Sequence, residues 1–382
     1  MRWVAVLLAA GLLGGLPRFA CPHEVVTAVG KTPSAGSTRA AGVTVDRRLR
    51  LLQAGERALR QGDPAAALAR FEGAASISHA VDTELGIVRS HMQAGEYRRA
   101  LAFCAHTAGA HPESPAGSVL YIGLLHAGAQ AGPARRLLDL TLERFPDDPQ
   151  LRALRRLLSN EATVPGPELL RPPARLAPYG APALPVGTRV VGSATLIDAG
   201  RHALIPLTLL PAGVRWVRNG LGQSSAVTLE RRLPAIGLAL VRLRKPLSFP
   251  SALVEAPRDP FPGSPAFAPE YASEREGDAS WPVLRIGFIG PASPSGDRKE
   301  LGVSMPHGPR GGPVFDASGR LSGIAIRGPA RADQLIPVRL LREAGIALAT
   351  DSRAVAPDAR AAADEIYELA MRSTLQVIAA RR

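Results

Sequence analysis

Cysteine is almost missing from this 382-residue chain, which holds only Cys21 and Cys104. If Cys21 is removed during processing, no intrachain disulfide framework exists, and Cys104 is expected to be a buried small apolar residue. The sequence has no paired Cys, no HExxH and no clustered Asp/His, so no metal site is expected. The Gly308 to Gly312 stretch lacks the Lys and the strand-to-helix setting of a phosphate loop, so no cofactor is expected either. Aromatic residues make up only 4%, so the cores must come from Leu, Val, Ile and Ala. Lysine is confined to Lys31, Lys245 and Lys299; the other basic residues are Arg, and the formal net charge is +13. Those Arg residues are scattered singly and never reach the density of an electrostatic footprint, so specific nucleic-acid binding is not expected. Binding of anionic polymers stays as a weaker alternative, testable by its salt dependence. After the N-terminus no apolar run reaches 18 residues, which excludes a multispanning membrane protein.

What is present is 46% apolar residues, enough for real cores, over a length that suggests two or three domains. The Ala, Gly, Pro and Arg bias looks like a GC-rich bacterial coding sequence. Arg2 precedes an apolar run from Trp3 to Leu16, broken by Gly11, Gly14 and Gly15, which is too short to span a bilayer and fits a secretory signal within 1–28. Cleavage after Ala20 or after Ala28 fits. A periplasmic or secreted location follows, with membrane anchoring only if Cys21 is lipidated, for which Arg18 and Phe19 are poor neighbours.

Between 48 and 158 the sequence reads as Ala- and Leu-rich helices without strand-like alternation. Ala67, Ala100 and Ala134 recur at near-constant spacing, with Phe71, Cys104 and Leu138 in step and Pro112 and Pro146 closing segments. This pattern resembles the tetratricopeptide repeat, in which a small residue lets paired helices approach and stacked pairs bury one continuous core. The resemblance implies a concave groove for a peptide or protein partner, with Arg89, His91 and Tyr121 as candidate contacts.

Seven prolines between Val164 and Gly187 predict a semi-rigid linker over 159–187. From 188 to 350 short apolar runs alternate with turn residues, at 188–198, 202–210, 225–229, 236–243, 264–268, 283–289, 313–316 and 320–326, as in an all-β barrel or sandwich. Gly311-Gly312-Pro313-Val314-Phe315-Asp316 through Gly323-Ile324 resembles the region after the nucleophile in trypsin-like serine peptidases of the bacterial periplasmic kind. Four more blocks keep that family's order: Gly192 to Asp198, Leu238 to Leu243, Gly263 to Phe267 with Leu284 to Gly290, and Leu335 to Arg339. The implied fold class is multidomain α and β, with helical repeats followed by a trypsin-like double β-barrel.

Carried over position by position, the resemblance sets Thr208 where the family has its His, Gly237 where it has its Asp, and Arg310 where it has its nucleophilic Ser. None of the three can do that work, and losing the acting residues of such a triad costs on the order of 10⁶ in kcat. His202 and Ser304 supply no convincing replacement. What remains is a vestigial cleft of His307, Gly308, Arg310 and Gly311, whose backbone and added charge would favour an anion or a peptide C-terminus. The expected protein is therefore an exported, catalytically inactive relative of the peptidases, without cofactor, that binds a protein or peptide; the alternative is an active endopeptidase with a displaced site.

Residues 357–382 carry a helix from Pro357 to Met371 and then a strand-like Ser373 to Ala379. In the resembled family such a pair opens the first barrel, yet here the linker runs almost directly into Gly192. Either 373–379 completes the first barrel from the C-terminal side, or the segment packs elsewhere.

Overall fold

The computed structural model describes residues 35–159, 165–249, 253–271, 275–293, 296–305, 311–328, 332–348 and 360–380, with 35–43, 275 and 276 by backbone alone. The expected signal segment 1–28 lies outside the described residues.

Seven helices come first: α1 (Ala35–Gln61), α2 (Pro64–Ala75), α3 (Val81–Ala94), α4 (Tyr97–Ala110), α5 (Pro115–Ala127), α6 (Ala131–Arg144) and α7 (Pro149–Ser159). Local chemistry sets their ends. Asp63 accepts the Ala66 N–H at 2.9 Å and Pro64 supplies a preset first turn to α2, while Gly95 ends α3 in the left-handed conformation. Ala67, Ala100 and Ala134 are fully buried, as are Cys104 and, within a few per cent, Phe71 and Leu138. These are the positions whose spacing marks the repeat. The odd-numbered helices form one layer: α3 touches α5, α5 touches α7, and Gln93 on α3 donates to the Leu59 carbonyl of α1.

The second half is two closed, six-stranded antiparallel barrels. The first contains β1 (Thr188–Ile197), β2 (His202–Pro206), β3 (Val214–Asn219), β4 (Ser224–Leu233) and β5 (Leu238–Leu243). The second contains β6 (Pro265–Glu270), β8 (Val283–Ala292), β9 (Lys299–Gly302), β10 (Pro313–Phe315), β11 (Leu321–Arg327) and β12 (Asp333–Pro337). A two-residue β7 (Arg275–Glu276) rides on the outer edge of β1. After α8 (Val338–Glu343) come α9 (Ala363–Ser373) and β13 (Thr374–Ala380).

β13 is the sixth strand of the first barrel. It pairs antiparallel with β1, from Thr188 opposite Ala380 to Thr195 opposite Thr374, and on its other edge with β3, from Leu375 opposite Asn219 to Ala379 opposite Val214. The chain thus places at its C-terminal side a strand that the barrel needs beside β1, and 373–379 does not pack elsewhere. The helix preceding it starts at Ala363, where the Glu365 side chain accepts the Ala362 N–H at 3.1 Å; residues 357–359 lie outside the described residues.

β3 and β9 escape the apolar-run reading, as do the two-residue β7 and β12, which only the Leu335 to Arg339 block covers. β3 (Val-Arg-Trp-Val-Arg-Asn) carries Arg218 buried, 3% exposed, on the face away from the barrel core, so its pattern is interrupted by a charge. β9 begins Lys-Glu. β2 also stops at Pro206, sooner than expected, because Pro206 caps a 3₁₀ helix, Leu207–Ala212, that contains Pro211.

Removing residues 374–382 is expected to leave β1 and β3 with unpaired edges. Hydrogen exchange should show loss of amide protection across β1 to β5 while β8 and β11 keep theirs; an unchanged melting temperature would speak against this role for β13.

Candidate functional site

Of the three positions singled out in the sequence, Thr208 and Gly237 are described, and they lie close together. β2 and β5 pair with Pro206 opposite Leu238, and the Leu207 N–H donates to the Gly237 carbonyl at 3.0 Å, so Thr208 and Gly237 sit on adjoining turns at one end of the first barrel. Thr208 is exposed. Gly311 comes up to them from the second barrel. Its N–H donates to the Ala325 carbonyl at 2.8 Å, and its carbonyl accepts the Thr195 hydroxyl at 2.7 Å. A Cβ at 311 would lie 2.4 Å from Pro206 Cδ and 2.6 Å from the Ser193 carbonyl oxygen, and φ is +91°. Only glycine passes between the barrels here. His307, Gly308 and Arg310 lie outside the described residues.

One residue at this place carries no sequence signal. Arg298, from the turn before β9, donates from Nη2 to the Ile236 carbonyl at 3.2 Å, and that guanidinium nitrogen is 3.4 Å from where a Gly237 Cβ would be. A guanidinium cation therefore stands beside Gly237. A single Arg after Gly296-Asp297 has no periodicity or motif by which to find it.

Three of the described histidines are already held by carboxylates. His91 pairs with Glu96 at 2.7 Å, His111 lies near Glu84 and Glu113, and His202 is held between Asp198 at 2.8 Å and Glu230 at 3.1 Å on the barrel surface. Ser304 is exposed and borders a different cavity, with His126 and Arg135.

The helical groove departs from its expectation. Residues 165–187 are not a free linker; they run across the inner, odd-numbered helix layer in order. Gln150 of α7 donates to the Glu168 carbonyl at 3.1 Å. Leu176 lies over Gly123 of α5, where a Cβ would be 2.5 Å from Leu176 Cδ2. The Tyr179 N–H reaches Gln93 Oε1 of α3 at 3.2 Å, and the Tyr179 hydroxyl donates to Glu56 of α1 at 2.7 Å. Leu169, Ala174, Leu176 and Ala177 are all buried. Proline density prevents an α-helix or central strand and, apart from a 3₁₀ turn at Pro167–Leu170, leaves an extended chain of the kind a groove accepts.

Arg89 is accordingly not an open contact. It is 4% exposed, paired with Glu56 and donating from Nε to the Leu85 carbonyl at 3.3 Å, because a charge on the inner face beneath Tyr179 must be neutralised. His91 is half-buried against Glu96, and Tyr121 is half-buried against the core. The structure does not bring these three together as one surface.

Burial alone would push the Glu56 carboxyl up, but the bonds from Arg89 and Tyr179 hold it below the usual carboxylate range. Glu56→Gln should lower stability by about 3 kcal/mol near neutral pH, since Arg89 is left buried and unpaired. A depressed pKa stabilises above the unfolded value of roughly 4.3 and loses that contribution as pH falls through the folded value. Urea denaturation of both proteins from pH 7 to 3 should therefore show the gap closing at the acid end.

Comparison with known proteins agrees with the helical half. Residues 91–158 match the tetratricopeptide repeat family. No curated protein matches the chain. Among solved structures the chain is similar to a serine endoprotease from Yersinia pestis at 17% identity and a TM-score of 0.35, over 41% of this chain and 59% of that one. The architecture itself, helical repeats followed by two closed six-stranded antiparallel barrels, is consistent with a trypsin-like double barrel.

Proposed function

We propose that this is an exported, periplasmic or secreted protein in which a catalytically inactive trypsin-like double barrel and a tetratricopeptide-type helical region act together as a protein-interaction module. The observation that supports the reading is that Thr208 and Gly237 sit on adjoining turns of the first barrel, with Gly311 packed against Pro206 beside them. The turn that would hold the peptidase base holds Thr208, the residue that would orient it is Gly237 with the Arg298 guanidinium beside it, and the residue ahead of Gly311 is Arg310. Covalent catalysis needs a hydroxyl or thiol, a base in hydrogen-bond reach and a group to orient that base. Repeats of the tetratricopeptide type support a protein partner, and with the inner helix layer covered by 165–187 the partner's contacts fall on other faces of the molecule.

The purified protein is expected to hydrolyse neither casein nor peptide esters and to remain unlabelled by a fluorophosphonate probe. Arg310→Ser should stay unlabelled as well, since Thr208 leaves a new serine without a base. Stoichiometric labelling of any barrel serine in the wild-type chain would sink the reading and favour an active endopeptidase with a displaced site.

A further inference from the structure

Where the groove-bound segment turns into β1, a cavity of about 400 Å³ opens between it and the first barrel, bordered by Arg175, Gly180, Thr188, Arg218 and Asp278. Arg218 is the group that needs explaining. It projects from β3, is 3% exposed, and donates from Nη1 to the Gly277 carbonyl at 2.6 Å. Its Nε is enclosed without a hydrogen-bond partner, and among the described residues no carboxylate lies within ion-pair distance of it. A guanidinium keeps its proton at physiological pH, so this is a buried, incompletely satisfied cation. Burial pushes its pKa down to about 10 against the favourable pull of Asp278 and Tyr271.

Among the described side chains, the surroundings do not supply an anion in contact with Arg218. Arg175 is a second cation on the cavity wall. Its guanidinium holds the carbonyls of Leu170, Ala177 and Pro178 and stacks 4.3 Å over Tyr179, so it adds field rather than another cation to neutralise. Gln376, opposite Arg218 in the β13–β3 ladder, and Tyr271 are each 2% exposed, and each has an oxygen without a partner. Among the described residues Asp278 is the one acidic residue on the wall; its side chain is exposed, and its carbonyl accepts from Gln376 Nε2 at 3.1 Å. Two cations thus face one solvated carboxylate.

We propose that this cavity binds a small-molecule oxyanion, a carboxylate or a phosphate, with Arg218 as the central cation and Arg175 reinforcing its field. The volume sits at the lower end of the range for ligand pockets, roughly 300–1,000 Å³, which suits a metabolite-sized anion and not a polymer.

The full chain would be titrated calorimetrically with sodium phosphate and with sodium succinate, at ionic strength held constant with sodium chloride, alongside thermal melts. Saturable one-to-one binding of either anion is expected, with a raised melting temperature. Binding of phosphate alone or of succinate alone identifies the group read, and either outcome supports the site. Arg218→Gln should weaken binding by at least about tenfold, the loss of one charged hydrogen-bond partner. Because Arg218 is buried and its variant is open to misfolding, the exposed Asp278→Asn provides the second arm. Removing the competing carboxylate should tighten binding a few-fold. Absence of binding by both wild type and Asp278→Asn would overturn the proposal, as would Arg218→Gln binding as well as wild type. A marked fall in melting temperature for Asp278→Asn without any anion binding would also overturn it, by making Asp278 the counterion.

Discussion

A strand inside a closed barrel must satisfy hydrogen-bonding groups along both of its edges, and in the first barrel the seam between β1 and β3 is filled from far away in sequence by β13. Much of the remaining architecture follows from that placement. To deliver β13 to the seam, α9 must lie against β1, β3, β6 and β10, and it also touches α4 of the helical half. Its side chains bind all three parts. The Tyr367 hydroxyl donates to the Pro282 carbonyl at 2.9 Å, and the ring meets Tyr97 of α4 edge-on at 4.5 Å. Glu365 and Glu368 receive Arg98, while Arg372 donates to the carbonyls of Ala94 and Gly95. Tyr97 and Tyr367 are fully buried, so this is a shared core and not a surface contact.

The second organising contact is the segment 165–187 on the inner helix layer. A repeat groove normally presents solvent-facing residues that wait for an extended chain. Here the extended chain is already covalently attached, and Leu176, Tyr179 and the Glu56–Arg89 pair are buried or half-buried as a result. The attachment makes the local concentration of this occupant high, so any outside peptide competes against an intramolecular one.

Both resemblances were readable in the residues because each rests on chemistry with a fixed spacing. Ala67, Ala100 and Ala134 mark helix crossings, and the turn from Asp316 to Gly319 with its flanking β10 and β11 marks a barrel hairpin. That Thr208 and Gly237 lie on adjoining turns follows from the register of β2 on β5. What could not be read was anything decided by distant partners. Arg89 looks like a surface residue of α3 until Glu56 and Tyr179 cover it; Arg218 breaks an apolar pattern that would otherwise announce β3; Arg298 reaches Ile236 from another barrel. Proline content told correctly that 165–187 is extended, but extension alone does not say whether a chain is free or docked.

The β13 seam also bears on the order in which the molecule takes shape. During synthesis β1 and β3 leave the ribosome long before β13 does, and their mutual gap stays open until the whole second barrel and α9 have been made. Pairing between Thr188 and Ala380 is therefore strongly non-local, as are the still longer-range contacts of α9 with α4. Loop-closure entropy must be met before such contacts give any return, which slows folding and lengthens the life of an exposed strand edge. A chain built this way is committed late, with its first barrel completed only when nearly everything else is in place.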